Sequence, residues 1–283
     1  MSRVYDPVTP PVALTIAGSD SGGGAGIQAD LKTMTAHEVF GTSVVTATTA
    51  QNSRGVHDIH PIPADHVASQ YDAVTDDYPV AAVKTGMLAT AEVVETVTDR
   101  LAGFDGPTVV DPVMVAATGD RLLSPAAEAA YDDLIAEATL VTPNADEAAV
   151  LVDDPVETPE DAAAAGRELV GRGATAALIK GGHLEEADAT DAAASDVVDT
   201  LVVEDENGND TPSVRRLVAP RVDTEATHGS GCTLSSAIAA RLARSEPLSE
   251  AVAAAVDDMG AAIRRGYAVG SGPGAVNPTT MGT

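Results

Sequence analysis

The chain has 283 residues, of which 43 are acidic and 16 are basic, so its formal net charge is −27 at pH 7. A surface this acidic repels phosphate groups over most of its area, which argues against nucleic acids and anionic membranes as partners. One cysteine rules out a disulfide framework or a cysteine-rich metal site, and no apolar run is long enough to span a bilayer, so we expect a cytoplasmic protein.

The chain begins with a lead-in, a strand, a glycine loop and a helix. Residues 1–11 contain three prolines and no hydrophobic period, so we expect them to be loose. Residues 12–17 form a short apolar run typical of a buried strand. A glycine-rich loop, 18–26, interrupts that run, and residues 27–34 then carry apolar side chains at helical spacing.

The glycine loop raises the question of two known nucleotide-binding motifs. Residues 24–29 fit the dinucleotide-binding pattern G-x-G-x-x-A, which also requires an acidic residue at the end of the next strand. That strand, predicted over 43–50, ends in Gln51 and Asn52, which disfavours a dinucleotide site. The P-loop sequence G-x-x-x-x-G-K-[ST] does not occur in the chain, which argues against a P-loop kinase.

Helices and strands alternate along the middle of the chain. This alternation predicts crossover connections and a mostly parallel sheet with helices on both faces. A hairpin of 197–203 and 214–218, with its turn at 206–210, predicts antiparallel strands at an edge. We expect one domain over 12–267 and a loose tail over 268–283. The other predicted helices are 64–74, 91–101, 125–136, 144–151, 161–171, 233–244 and 248–265, and the other strands are 80–84, 108–111, 139–142 and 176–180.

A turn rich in glycine precedes the helix predicted over 233–244. The first N–H groups of a helix lack partners within it and its dipole is positive there, so Gly229, Ser230, Gly231 and Cys232 predict a phosphate-binding loop. The same position predicts a lowered pKa for the Cys232 thiol, which would make it a base or nucleophile beside the phosphate. The structural alternative is a cysteine that serves as a small buried hydrophobe.

Several polar or unusual residues follow directly after predicted strands. In an open parallel sheet those strand ends share one edge, where ligands bind. Each has a structural alternative, such as core packing, a turn or a helix cap. Lys180, however, stands in the segment Lys-Gly-Gly-His and is one of only three lysines, which favours a functional role. The residues at this edge are the loop 18–26, Gln51, Met87, Asp111, Asn144 and Lys180.

Taken together, the motifs at 17–32, 84–88, 111–114, 142–147, 180–183 and 227–235 resemble those of the hydroxymethylpyrimidine/phosphomethylpyrimidine kinases. The resemblance covers about residues 12–267 and implies the α/β three-layer sandwich of the ribokinase-like superfamily. It also implies ATP-dependent phosphorylation of 4-amino-5-hydroxymethyl-2-methylpyrimidine, and then of its monophosphate, in thiamine biosynthesis. A Mg²⁺ requirement and a homodimer are further expectations that follow from it.

The resemblance also implies roles for individual residues. Gln51 suits a pyrimidine because one amide offers both a donor and an acceptor. A pyridoxal kinase of the same fold and a non-catalytic pyrimidine-binding regulatory protein are the alternatives. The implied roles are pyrimidine binding for Gly18, Ala25, Asp30, Gln51 and Met87; ATP binding for Asn144, Lys180 and Thr233; metal binding for Asp111 and Glu147; and catalysis for Lys180, Gly229, Ser230, Gly231 and Cys232.

The charge balance generates a prediction about salt. Molar salt shortens the Debye length to ~3 Å and screens the mutual repulsion of the acidic side chains, so we expect adaptation to a salt-rich cytoplasm. The melting temperature should fall when KCl is reduced from molar to millimolar concentration, as measured by differential scanning calorimetry. An unchanged melting temperature would contradict this expectation.

Overall fold

The computed structural model describes residues 6–114, 129–182, 196–204 and 211–282. Nine strands of these segments form one sheet. The strands are β1 (Val12–Ser19), β2 (Phe40–Asn52), β3 (Gly55–Pro61), β4 (Val80–Thr85), β5 (Thr108–Val110), β6 (Leu140–Val141), β7 (Ala176–Ile179), β8 (Val197–Val203) and β9 (Ser213–Ala219).

The strand order is β3-β2-β1-β4-β5-β6-β7-β8-β9. The six strands from β2 to β7 in this order pair in parallel. At one edge β3 runs antiparallel to β2, and at the other β8 runs antiparallel to both β7 and β9. The mostly parallel sheet and the edge hairpin are therefore confirmed, while the predicted turn at 206–210 lies outside the described residues.

The strand β3 was not predicted from the sequence. Its side chains are exposed or only partly buried, and His57, Asp58 and His60 break the alternation by which a half-buried strand is recognised. β2 is also longer than predicted, because it continues through Gln51 and Asn52 to pair with β3.

Helices cover both faces of the sheet. Adjacent strand residues point to opposite faces, so Leu14 belongs to one buried cluster and Ala13 to the other. The first cluster packs against α2 to α6, and the second packs against α1, α7 and α8. The helices are α1 (Gly26–Ala36), α2 (Ala64–Thr75), α3 (Ala91–Leu101), α4 (Tyr131–Ala136), α5 (Ala145–Val152), α6 (Pro159–Gly171), α7 (Ser230–Ala243) and α8 (Leu248–Arg264).

The predicted helix bounds agree with the structure to within a few residues where caps define them. Thr90 accepts a hydrogen bond from the N–H of Val93 at the start of α3, and Thr158 forms a capping box with Asp161 at the start of α6. The first part of the helix predicted over 125–136 lies outside the described residues. Among the described helices, none combines the length and apolar character needed to cross a bilayer.

The C-terminal segment is packed, which differs from the loose tail that we predicted. Ala275 pairs with Tyr267 and with His228, so the segment lies beside the loop that precedes α7. Val276 and Met281 are buried in the cluster formed with α7 and α8. The apolar residues of this segment stand singly among glycines and prolines, so no periodicity revealed their burial.

The packed tail carries a stability prediction. Met281 is 1% exposed, and replacing a buried methionine by alanine typically costs ~2–5 kcal/mol in the free energy of unfolding. Met281→Ala should therefore lower the urea midpoint clearly. Val269→Ala is the matched control, since Val269 is 64% exposed in the same segment. Equal, negligible losses in both variants would show that the tail does not pack in solution.

Candidate active site

The carboxyl ends of the parallel strands border a cleft of 460 Å³. Of the predicted site residues, Asp30 and Thr233 do not line this cleft. His183 lies outside the described residues. The cleft lining brings together Gly18, Ala25, Gln51, Met87, Asp111, Asn144, Glu147, Lys180, Gly229, Ser230, Gly231 and Cys232.

The turn before α7 has the backbone of an anion-binding loop. Gly229 caps the helix with a positive φ of 79°, a conformation that glycine adopts without steric cost. The N–H of Ser230 donates to the carbonyl of Thr227 over 3.1 Å, so this predicted phosphate donor is already engaged. The helix hydrogen bonds begin at Thr233, whose N–H donates to Gly229. The N–H groups of Gly231 and Cys232 therefore project from the open first turn, at the positive end of the helix dipole.

The loop before α7 packs directly against the glycine loop that follows β1. A Cβ on Gly229 would lie 1.9 Å from the carbonyl oxygen of Gly24, and a Cβ on Gly24 would lie 2.5 Å from Cδ2 of His228. Only glycine allows so close an approach at these two positions. The two loops therefore form one wall of the cleft.

A buried carboxylate, which the sequence analysis missed, connects these loops. Asp20 accepts hydrogen bonds from the N–H groups of Gly22, Gly24 and Ala25 and lies 3.2 Å from Nε2 of His228. Burial raises the pKa of Asp20, but the bonds from His228 and the backbone outweigh burial and hold it below its usual value. An aspartate followed by several glycines was the available signal, because its side chain can accept from the backbone amides after it.

The predicted pyrimidine side of the cleft contains Gly18, Gln51 and Met87. A Cβ on Gly18 would lie 2.4 Å from Cε of Met87, so the thioether occupies the space that the glycine leaves open. The amide of Gln51 lies 3.4 Å from Nε2 of His228, and its Oε1 accepts from Thr49 over 3.3 Å. The amide is thus held at the cleft by neighbours on both sides.

Opposite this side, a lysine lies between two buried carboxylates. Lys180 Nζ lies 3.0 Å from Oδ1 of Asp111 and 3.8 Å from Oε2 of Glu147. The hydroxyl of Thr142 donates to Oδ1 of Asp111, and that of Ser235 donates to its Oδ2, both over 3.2 Å. Strand-end residues far apart in the chain therefore converge, as the sequence predicted.

The pKa values of Asp111, Lys180 and Glu147 are set by burial and by the charges of their neighbours. Burial raises the pKa of Asp111, but the nearby charges of Lys180 and Lys84 prevail and lower it. Burial lowers the pKa of Lys180, but Asp111 and Glu147 raise it above its ordinary value. For Glu147, burial and the charge of Asp111 outweigh Lys180 and raise the pKa to about 7.

Asn144 and Glu147 also have a structural role. The side chain of Asn144 accepts from the N–H of Glu147, and Glu147 accepts from the N–H of Asn144, both over 2.8 Å. This capping box begins α5 and fixes the orientation of the Glu147 carboxylate. The helix-cap alternative for Asn144 is therefore correct, and it coexists with a position in the cleft lining.

Asp30 corrects one of the predicted pyrimidine contacts. It is fully buried, and both carboxylate oxygens accept from Lys84 Nζ, over 3.0 and 2.9 Å. Thr15 and Ser236 also donate to it, over 2.6 and 2.7 Å. Asp30 therefore holds Lys84, which does line the cleft, and does not itself line it.

Thr233 is the second correction. It is fully buried in the first turn of α7, and among the described residues its hydroxyl has no hydrogen-bond partner. The sequence placed it at the helix start but could not show that its side chain points into the protein.

Cys232 lies in the cleft, but its predicted pKa shift has the wrong sign. Burial raises the pKa of the thiol to about 11, although the charge of Lys84 and the N–H of Gly26 lower it. Asp30 and Asp111 act with burial to raise it. The sequence revealed the helix start, which favours a thiolate, but it could not reveal the burial and the neighbouring carboxylates that oppose one.

Comparisons with known proteins agree on a kinase. The family model for phosphomethylpyrimidine kinase matches residues 20–277. The chain is 49% identical to a hydroxymethylpyrimidine/phosphomethylpyrimidine kinase of Streptomyces coelicolor, over 98% of this chain and 97% of that one. An ADP complex of Bacillus subtilis pyridoxal kinase has a TM-score of 0.84 at 32% identity, covering 96% and 98% of the chains. A phosphomethylpyrimidine kinase of Clostridium difficile has a TM-score of 0.74 at 36% identity, covering 89% and 99%.

The raised pKa of Cys232 can be checked directly, because it is the only cysteine in the chain. Only the thiolate reacts with iodoacetamide, so far below the pKa the rate should rise about tenfold per pH unit. With a pKa of about 11, we expect this rise between ~pH 7 and ~pH 9.5, without a plateau. A plateau in the neutral range would mean that the thiolate predominates there.

Proposed function

Because the chain belongs to the phosphomethylpyrimidine kinase family, we propose that it transfers the terminal phosphoryl group of ATP to 4-amino-5-hydroxymethyl-2-methylpyrimidine. We further propose that it then phosphorylates the resulting monophosphate, to supply the pyrophosphate for thiamine biosynthesis. The observation that carries the proposal is the shared cleft. Its lining includes Gly231, Cys232 and Lys180 for the phosphate side, and Gln51 and Met87 for the pyrimidine side.

The phosphate side of the cleft supplies positioning and charge. Phosphoryl transfer leaves little covalent chemistry to the protein, so catalysis consists mainly of alignment and electrostatic stabilisation. In the proposal, Lys180 contacts phosphate oxygens of ATP, and the N–H groups of Gly231 and Cys232 donate to the phosphoryl group in transfer. On the pyrimidine side, the Gln51 amide pairs with the ring edge and Met87 packs against the ring.

In the first transfer, the Cys232 thiolate accepts the proton of the substrate hydroxyl. The hydroxyl oxygen bonds to the γ-phosphorus, and the bond from that phosphorus to the departing ADP oxygen breaks. The neutral thiol prevails in the free protein because its pKa is about 11, so the thiolate must first form by losing a proton to solvent. The second transfer needs no such base, since its acceptor is already a phosphate.

The side chains around Lys180 have the chemistry that a Mg²⁺ site requires. Carboxylates suit Mg²⁺, which keeps several waters and takes few protein ligands directly. Asp111 and Glu147 are buried carboxylates beside Lys180, and the charge of Asp111 acts with burial to raise the pKa of Glu147, so a further cation would be favoured here. No cluster of three His, Cys, Asp or Glu side chains occurs among the described residues. Asp111 and Glu147 are the residues that would hold a Mg²⁺ ion, which would neutralise charge on the transferring phosphate.

A pyridoxal kinase is the second candidate function, because the Bacillus subtilis pyridoxal kinase has the TM-score of 0.84. Pyridoxal also offers a hydroxymethyl group on a six-membered nitrogen ring. The homodimer, the cytoplasmic location and the salt adaptation stay predictions.

A substrate panel tests the proposed function. Purified protein in high salt with Mg-ATP should phosphorylate hydroxymethylpyrimidine and its monophosphate, as followed by ADP release and by mass of the product. Phosphorylation of pyridoxal alone would favour the second candidate. Tight binding of hydroxymethylpyrimidine without turnover would favour a regulatory protein.

Gly231→Ala tests the phosphate position. The added Cβ would lie 3.2 Å from Lys180 Nζ and 3.7 Å from Oδ2 of Asp111, in the space that the phosphoryl group would enter. We expect unchanged melting but a loss in kcat/KM of about 100-fold, the size of effect that small misplacements cause. Gly171→Ala is the control, since nothing lies within 4 Å of its added Cβ. Full activity in Gly231→Ala would contradict the assignment of this loop.

A further inference from the structure

Lys84, a further lysine in the cleft lining, takes no part in the proposed phosphoryl transfer. Its side chain is fully buried within the protein, yet it lines the same cleft as Cys232. Both oxygens of Asp30 accept from its ammonium group. A buried ion pair contributes little net stability compared with a well-packed apolar pair, so its placement beside the cleft calls for another explanation.

The helix α7 connects this ion pair to the turn that carries the cysteine. Ser236 donates to Oδ1 of Asp30 over 2.7 Å. Ser236 follows Cys232 by four residues on the same helix, and residues with this spacing lie on one face, about 5–6 Å apart at Cβ. The serine that holds the Asp30–Lys84 pair therefore lies one helical turn from Cys232 on the same face of α7.

We propose that Lys84 is a positioning residue for Cys232, whose ammonium group, held by Asp30, stabilises the thiolate of that cysteine. The proposal rests on the proposed function for one point: the role of the thiolate, which is to accept the hydroxyl proton in the first transfer. Its electrostatic content applies to the free protein and can be measured without substrate.

The charges around Cys232 support this role. The described groups that act on the sulfur are Lys84 from β4, Asp30 from α1, Asp111 after β5 and Lys180 after β7. Among these, Lys84 has the largest influence on the thiol pKa and lowers it, more than Asp30 raises it. Burial lowers the pKa of Lys84, but Asp30 and other neighbours raise it above its ordinary value, so the ammonium stays charged.

Because most Cys232 side chains are neutral thiols, any change in the stability of the thiolate changes the fraction of molecules that carry one. A nearby charge shifts a pKa by about one unit or more, and one unit changes the thiolate fraction about tenfold. The contribution of Lys84 would therefore set how often Cys232 is ready to accept a proton at neutral pH.

The test is alkylation of Cys232 by iodoacetamide at pH 8.5 in the full-length, ligand-free protein in molar KCl. Lys84→Met should slow the reaction about tenfold, and the neutral double variant Lys84→Met/Asp30→Asn about threefold, since it also removes the opposing carboxylate. Lys84→Arg should stay near the wild-type rate because it keeps the charge. Lys32→Met is the matched control, as Lys32 is exposed on α1 and bonds the carbonyl of Gly23.

A merely structural role for Lys84 predicts the opposite sign, because loosening the packing would expose the sulfur and speed alkylation in both Met variants. Rates equal to or faster than wild type in the double variant would overturn the proposal. Circular dichroism would reveal whether Lys84→Met alone fails to fold. In that case, the alkylation rate of the double variant decides the test. A wild-type protein without kinase activity would refute the proposed function while leaving the alkylation result intact.

Discussion

The structure depends on two lysine–carboxylate pairs, one fully buried and one at the cleft, and each is held by a serine from the second turn of α7. Ser235 donates to Asp111, which binds Lys180, and the adjacent Ser236 donates to Asp30, which binds Lys84. Consecutive helix residues diverge by about 100°, so the two serines reach carboxylates on different elements. These bonds fix the start of α7 relative to the sheet, and with it the N–H groups that project into the cleft.

The glycine loops complete this arrangement from the opposite side. Asp20 gathers the amides of the loop after β1 and meets His228 of the loop before α7, while Gly24 and Gly229 let the two backbones touch. A reaction governed by alignment and electrostatics benefits from such preorganised donors, since they do not need to reorient as charge develops. In the proposed reaction, one side of the cleft would hold the phosphate and the other the pyrimidine.

The sequence predicted those features that follow from strand ends and helix starts. Asp111 and Lys180 are 69 positions apart, and their convergence followed from the parallel sheet alone. The sequence did not predict the partners of Asp30, the burial of Thr233, the strand β3 or the packed tail, because these depend on three-dimensional neighbours without a periodic signal. The pKa of Cys232 shifts in the direction opposite to the prediction for a related reason. A helix start is visible in a sequence, but the burial of the thiol and the nearby carboxylates of Asp30 and Asp111 are not.

The most direct test of this account is a crystal structure of the protein with a non-hydrolysable ATP analogue, Mg²⁺ and hydroxymethylpyrimidine. We predict that the terminal phosphate lies within hydrogen-bond distance of the N–H groups of Gly231 and Cys232 and of Lys180 Nζ, and that the pyrimidine contacts Gln51 and Met87. A terminal phosphate bound away from the start of α7, or a pyrimidine bound outside the cleft, would contradict the account.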